Sequence, residues 1–185
     1  MNISYRKLVS ADSRQYREIR LESLKLHPES FGSTFNEQCQ LPKLMFERAL
    51  EQPIDDRFVI GVFDKQVLIG ICGFIPFALD NTHHFRKAGT LIQMYIKSAY
   101  RGRKIGLNLV SAVIDEAFKI PDIEQVVLSV KQGNMSAIRV YEQAGFVPYS
   151  AEGMKTKSDS DGQIMIICRD NSKRNITAIA PERRE

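Results

Sequence analysis

Leu91-Ile-Gln-Met-Tyr-Ile-Lys-Ser-Ala-Tyr-Arg-Gly-Arg-Lys-Ile-Gly106 runs from an apolar stretch through a basic glycine loop into a helical pattern. Thr90–Ile96 reads as a strand. From Gly106 to Lys119, residues Leu109, Val110, Val113, Ile114, Ala117 and Phe118 fall on one helical face. The loop from Arg101 to Gly106 therefore opens a helix. A helix start leaves backbone N–H groups unpaired and carries a partial positive charge. An anion placed there gains several hydrogen bonds at once. Gly102 lets the backbone turn, Gly106 lets a ligand approach closely, and Arg101, Arg103 and Lys104 supply charge. Charge-assisted hydrogen bonds contribute about 1.5–3 kcal/mol each, so the loop suits a pyrophosphate. It also fits a plain helix cap with solvated basic side chains. A P-loop would need GxxxxGK[ST], and a dinucleotide fold an early GxGxxG; neither pattern occurs.

Working outward, Asn2–Leu8 reads as a strand and Ala11–Leu26 as a helix capped by Ser10, with His27-Pro28 closing it. Pro28–Gln40 is loop-like, anchored by Phe31 and Phe35. Pro42 fits the first turn of a second helix that ends near Gln52-Pro53. Strands Phe58–Phe63 and Val67–Pro76 flank the polar turn Asp64-Lys65-Gln66. The polar insert Asp80–Gly89 is a loop. Glu124–Val130 is a buried strand, Asn134–Ala144 a helix, and Phe146–Met154 and Gln163–Cys168 a closing strand pair. Strand–helix–strand–helix in the second half implies a parallel pair, and the tight early turns imply antiparallel ones. The consequence is a mixed sheet with helices on both faces.

Bulk properties restrict the classes. The 185 residues suit one domain, with the stretch beyond Asp170 a mobile tail that lacks apolar periodicity. The net charge of +4 is partly carried by Lys173, Arg174, Arg183 and Arg184 in that tail. The dense basic run inside the folded part is confined to one loop, so no nucleic-acid partner is expected. Cys39, Cys72 and Cys168 form no CxxC pair, which points to reduced thiols and no metal site. The opening MNISYRKLVSADS is too polar for a signal peptide, and no apolar run approaches spanning length. A cytoplasmic protein without a membrane partner is the expectation.

The helix after the buried strand carries Asn134-Met-Ser-Ala137-Ile-Arg-Val-Tyr141-Glu-Gln-Ala-Gly145-Phe146. Asn134, Ala137 or Ile138, Tyr141 and Gly145 lie on one stripe at spacings of three and four. Asn134 caps the helix, small Ala137 leaves room beside it, and the Tyr141 phenol can donate a proton. A core aromatic with a satisfied hydroxyl is the plainer account of Tyr141. Together the two segments resemble motif A, (Arg/Gln)-x-x-Gly-x-(Gly/Ala), and motif B, Asn-x-x-Ala-x-x-x-Tyr-x-x-x-Gly-Phe, of the GNAT superfamily of N-acetyltransferases. Lys104 departs from the pattern, standing where that family usually has glycine.

The resemblance implies an α/β chain with the GNAT-like acyl-CoA N-acyltransferase fold, whose sheet is mostly antiparallel with one splayed parallel pair, Leu91–Ile96 and Glu124–Val130. Residues 1–170 would form a single N-acetyltransferase domain, with 171–185 the tail. Acetyl-CoA would be the co-substrate, with no metal. Its pyrophosphate would lie on Arg101, Gly102, Arg103, Lys104, Ile105 and Gly106. Its pantetheine arm would lie along backbone groups of Met94, Tyr95 and Ile96, beside Asn134 and Ala137, with Tyr141 facing the sulfur. The partner would be an amine acceptor, and homodimers are common in that family. Many members carry a glutamate base on the strand before motif A; here Gln93 and Tyr95 take those positions, and Glu37 is the substitute. A low-pKa amine, or proton removal through water, follows from the missing acid. Three accounts stand at this point: an acetyltransferase of small amines or peptide amino termini, a non-catalytic acyl-CoA-binding regulator, and a nucleic-acid module suggested by basicity alone. His83 and His84 read as solvated, and Phe31, Phe35, Phe77 and Phe85 as lining for the acceptor entrance or as core.

Overall fold

The β-branched runs pair largely as their alternation predicts. In the computed structural model, which describes residues 1–52, 56–78, 87–149 and 162–169, seven strands form one sheet in the order β1-β2-β3-β4-β5-β7-β6. They are β1 (Ile3–Lys7), β2 (Phe58–Asp64), β3 (Val67–Ala78), β4 (Lys87–Ile96), β5 (Ile123–Lys131), β6 (Val147–Pro148) and β7 (Gly162–Cys168). Every neighbouring pair is antiparallel except β4 with β5. The expected fold class is thus the observed one. The stretch expected as tail, the histidines His83 and His84, Phe85, and the end of the strand drawn to Met154 lie outside the described residues.

Alternation along β2 divides the core. Phe58, Ile60 and Val62 face α4 (Ile105–Ala117) and α5 (Met135–Gln143), joining Leu109, Val110, Val113, Ile138 and Tyr141. Val59 and Phe63 face α1 (Ser13–Leu26) and α3 (Met45–Glu51), joining Tyr16, Ile19, Leu44 and Phe46. The sheet therefore separates two apolar layers, each closed by its own helices.

The strand expected from Thr90 starts at Lys87, inside the stretch expected as loop, because residues 87–89 pair with the end of β3. Three further details of the first half differ from expectation, and each has a local cause. The first helix does not cap at Ser10: Ser10–Asp12 is a 3-10 turn, and α1 starts at Ser13. Asp12 takes over the end, accepting the Val9 N–H at 2.8 Å and two guanidinium contacts from Arg6 at 2.6 and 2.8 Å. That pairing holds its carboxyl below the usual range. Within the expected loop, Phe35–Gln40 forms a short helix, α2. Its signal is Thr34-Phe-Asn-Glu37, a capping box: the Thr34 N–H donates to Glu37 Oε2 at 3.1 Å and the Glu37 N–H to Thr34 Oγ1 at 3.3 Å. Finally, α3 begins at Met45, three residues beyond Pro42, because Glu47 Oε2 accepts the Leu44 N–H at 2.6 Å and the Arg17 guanidinium at 2.6 Å.

Gly89 on β4 tests how tightly the paired half of the sheet is packed. A Cβ there would lie 2.0 Å from the ring of Phe74, which is fully buried and stacked on Phe58 at 5.2 Å. Gly89→Ala is expected to lower unfolding free energy in urea by about 2–3 kcal/mol, the cost of overpacking a core.

Candidate active site

The site begins where one ladder ends. Parallel pairing of β4 with β5 runs from Lys87↔Ile123 to Thr90↔Val127 and no further. Beyond it, β5 continues on β7 from Leu128↔Met165 to Lys131↔Gly162, and β4 continues on β3 to Gly70↔Ile96. Each strand keeps its outer neighbour, so the two part company. A bulge in β4 sharpens the divergence. Ile71 pairs with Tyr95 and Gly73 with Ile92, leaving Gln93 and Met94 opposite Cys72 alone. Gln93 takes φ 56°, a left-handed conformation uncommon for a non-glycine residue.

Helix α4 starts beside this gap. Gly106, in its first turn, lies where a Cβ would meet Met94 Cε at 3.2 Å and Val140 Cγ1 at 3.9 Å. The loop, the bulge and α5 thus converge at one point. Among the described residues, no acceptor is found for the backbone N–H groups from Arg103 to Leu107, and the first turn of α4 holds no acid. Gly102 has φ 75°, and a Cβ on it would meet nothing within 4 Å. Open space, unpaired amides and a helix N-terminus give a fitting seat for a diphosphate. Lys104 is the N-cap at φ 60°, so the position where the resemblance calls for glycine is one that demands a left-handed backbone.

The predicted cofactor residues divide by what they offer. Arg103 and Lys104 are exposed at the loop, whereas Ile105 is buried and contributes only backbone. The Arg101 side chain turns back: its Nε donates to the Ile96 carbonyl at 2.9 Å and its Nη2 lies 2.9 Å from His27 Nε2. Tyr95 is enclosed beneath that guanidinium and donates to Glu22 Oε1 at 2.8 Å; burial and the carboxylate push its phenol up to about 12. Arg101 therefore braces the end of β4. This link through His27 and Glu22 had no sequence signal, since the partners lie about seventy residues apart.

Helix α5 places the remaining candidates. Asn134 Oδ1 accepts the Ala137 N–H at 3.2 Å, capping the helix as its position predicts. At the other end the Phe146 N–H reaches the Tyr141 carbonyl at 3.0 Å and the Gly145 N–H the Glu142 carbonyl at 3.0 Å. With Gly145 at φ 98° this is a Schellman motif, and its apolar contact is the Tyr141–Phe146 ring pair at 5.9 Å. Tyr141 is thereby fixed over the sheet beside Cys72, the residue opposite the bulge. Burial first, and then Cys72, raise its phenol well above the ordinary value. No hydrogen-bond partner for its hydroxyl is found among the described residues.

Glu37, expected as the substitute base, is engaged at the start of α2. It is exposed, and its carboxylate caps α2 through Thr34, which holds it below the usual range. A base working near neutral pH needs a shift in the other direction. The α1 side of the gap instead presents groups that sequence reading missed: Tyr16 donates to Gln93 Oε1 at 2.8 Å, and Arg20 lies one turn further along the same face. Among the described residues no group of three or more histidine, cysteine or acidic residues could hold a metal, and no helix is long and apolar enough to cross a membrane.

With this geometry in view, a family model described as the Acetyltransferase (GNAT) family matches residues 18–146. Similar solved structures include an acetyltransferase of the GNAT family from Streptococcus pneumoniae, 17% identical, covering 90% of this chain and 99% of that one with TM-score 0.69. PaiA N-acetyltransferase from Thermoplasma acidophilum, in complex with coenzyme A, is 24% identical over 91% of this chain and 99% of that one, with TM-score 0.66. YncA from Salmonella typhimurium, with its cofactor acetyl-CoA, is 20% identical over 98% and 99%, with TM-score 0.66. At these identities the structures establish the fold.

Two substitutions at left-handed positions should move stability in opposite directions. Lys104→Gly relieves the backbone and is expected to raise unfolding free energy by about 0.5–1 kcal/mol. Gly145→Ala forces a Cβ to φ 98° and to 3.3 Å from Ile167 Cδ1; it should cost about 1–2 kcal/mol. Urea denaturation of both variants measures the pair.

Proposed function

This chain belongs to the acetyltransferase (GNAT) family, and from that premise we propose that it transfers an acetyl group from acetyl-CoA to a primary amine by direct attack. The observation that carries the reading is the run of unpaired amides from Arg103 to Leu107, opening onto the gap where β4 leaves β5. Those amides, with Arg103 and Lys104, would hold the pyrophosphate. Backbone of Met94, Tyr95 and Ile96 would face the pantetheine arm, with Asn134 and Ala137 along its other side. Acetyl-CoA supplies an acetyl thioester, whose carbon–sulfur bond gives way to a carbon–nitrogen bond when the amine lone pair attacks.

The chain's own contribution is positioning and a hydrogen bond. Holding amine and thioester together can supply as much as about 7–11 kcal/mol of the barrier. Tyr141, held protonated by its surroundings, offers its hydroxyl to the departing sulfur. A free thiol titrates near 8.5 and a phenol near 10, so complete proton transfer from a raised phenol to a thiolate runs uphill. Tyr141 therefore acts as a donor that stabilises the thiolate, and solvent completes the protonation. The proton released by the amine leaves through water, since the Glu37 carboxylate is occupied at the start of α2.

Lys104 favours a second reading, a non-catalytic acyl-CoA-binding regulator, because it puts a Cβ at the left-handed N-cap where the family usually has glycine. Release of free thiol on mixing acetyl-CoA with an amine panel separates the two; binding without release would favour the regulator. In the leading reading, Tyr141→Phe lowers kcat by about 10- to 100-fold, the worth of one hydrogen bond to a charged group. Calorimetric affinity for acetyl-CoA should stay unchanged. Glu37→Gln should leave the acidic limb of the kcat/KM profile in place, because that limb follows deprotonation of the acceptor amine. A carboxylate-range ionisation lost in that variant would make Glu37 the base after all.

A further inference from the structure

Three guanidinium groups on the α1 side of the sheet invite comparison. Arg6 is paired with Asp12 and Arg17 with Glu47, each at 2.6 Å. Arg20 has no carboxylate in contact among the described residues, yet it is the most enclosed of the three, at 3% exposure. Among the described residues its buried Nε has no hydrogen-bond partner. Among the described residues its Nη1 reaches Ser23 Oγ, at a long 3.5 Å, and that hydroxyl is itself donating to the Arg20 carbonyl at 2.7 Å. A charge taken out of water without a counter-ion costs several kcal/mol, and the face of Phe31, 4.7 Å away, offsets only part of it.

The location of this unpaired charge gives it a meaning. Tyr16, four residues earlier on the same face of α1, holds Gln93 of the β4 bulge. Arg20 thus stands about one helical turn along α1 from Tyr16, whose partner Gln93 belongs to the bulge beside the gap. Phe31, which covers the guanidinium, is itself partly exposed and belongs to the connection between α1 and α2. Helix α4, whose start would seat the diphosphate, packs on the opposite face of the sheet from α1, which leaves the α1 face, with Arg20, for the acceptor.

We infer that Arg20 binds a carboxylate carried by the acceptor, which makes the acceptor an amino acid or a similarly compact amine-acid; this rests on the acetyl-transfer reading above. One guanidinium matches one carboxylate in charge and in its planar, two-pronged geometry. A phosphate dianion would leave charge over. Movement of the Phe31 ring admits the acid end to Arg20, and the amine is left a few bonds away, beside Gln93.

The test measures thiol release from acetyl-CoA with the twenty amino acids and with their α-amides, for the native chain, Arg20→Lys and Arg20→Met. The amide's amine is the less basic, so a preference for the acid runs against intrinsic availability of the lone pair. The native chain should show a KM about 10- to 100-fold lower for the preferred acid than for its amide, the worth of a charge-assisted pair. The ratio should fall in Arg20→Lys and collapse toward one in Arg20→Met. Equal use of acid and amide by the native chain, or equal losses with both in Arg20→Met, overturns the inference. If neither set is acetylated while other primary amines are, the inference is overturned and the acetyl-transfer reading stands; if no amine at all is acetylated, the acetyl-transfer reading fails on its own, and Arg20 is judged by melting instead. A Tm rise with an amino acid in the native chain but not in Arg20→Met supports the carboxylate seat; no rise overturns it. The ligand-free Tm adds a last readout: removing an uncompensated charge should hold or raise it, whereas a fall would make Arg20 a brace for Phe31.

Discussion

Hydrogen bonding between β4 and β5 stops after Thr90 and Val127 while both strands continue, and the rest of the site depends on that interruption. A sheet interior normally leaves no backbone group idle. Here β3 and β7 hold the two strands from outside, and the Gln93–Met94 bulge turns β4 away before the ladder can resume. The opening therefore needs no lid or moving part to exist. It is a by-product of register, enforced by pairs as ordinary as Ile71 with Tyr95 and Val130 with Gln163.

Two helices then convert an opening into a place for chemistry. Among the described residues, helix α4 brings amides without an acceptor, and α5 brings a hydroxyl without a partner. They are held in step because Gly106 lets Met94 and Val140 close on the same spot. The Schellman turn at Gly145 fixes the end of α5, so that Tyr141 is placed by backbone geometry as much as by packing. Lys104 shows how such a loop tolerates a departure. The left-handed backbone persists at φ 60° because the flanking turn and helix dictate it, and the side chain stays exposed. The cost falls on stability.

What the sequence disclosed follows from the range of each signal. Periodicity and the two motifs placed α4, α5 and the strands around them, because capping, glycine turns and apolar stripes are local properties of a few residues. The capping box at Thr34–Glu37 was equally local and equally legible, and it accounts for where the Glu37 carboxylate is engaged. The α1 side was not legible. Tyr16 with Gln93, Tyr95 with Glu22 and Arg101 with His27 join residues 77, 73 and 74 positions apart. No spacing rule connects them. Arg20 was hidden for a further reason: on a helix written as amphipathic, an arginine reads as solvent-facing until burial shows otherwise.

The proposed role of Arg20 bears on how the amine could lose its proton to water. An amine attacks only when neutral, and in an amino acid the neighbouring carboxylate helps keep it protonated, because an opposite charge nearby favours the charged form. Pairing that carboxylate with Arg20 cancels its influence, and the low dielectric around an enclosed guanidinium makes the cancellation stronger than it would be in water. The bound amine then titrates below its free value without any group accepting the proton at the moment of attack. On this account the charge left unpaired on α1 does two things through one contact: it selects the acceptor, and it helps expose the lone pair. A site of this design can leave the proton to water, which is the part of the reaction its residues are least equipped to perform.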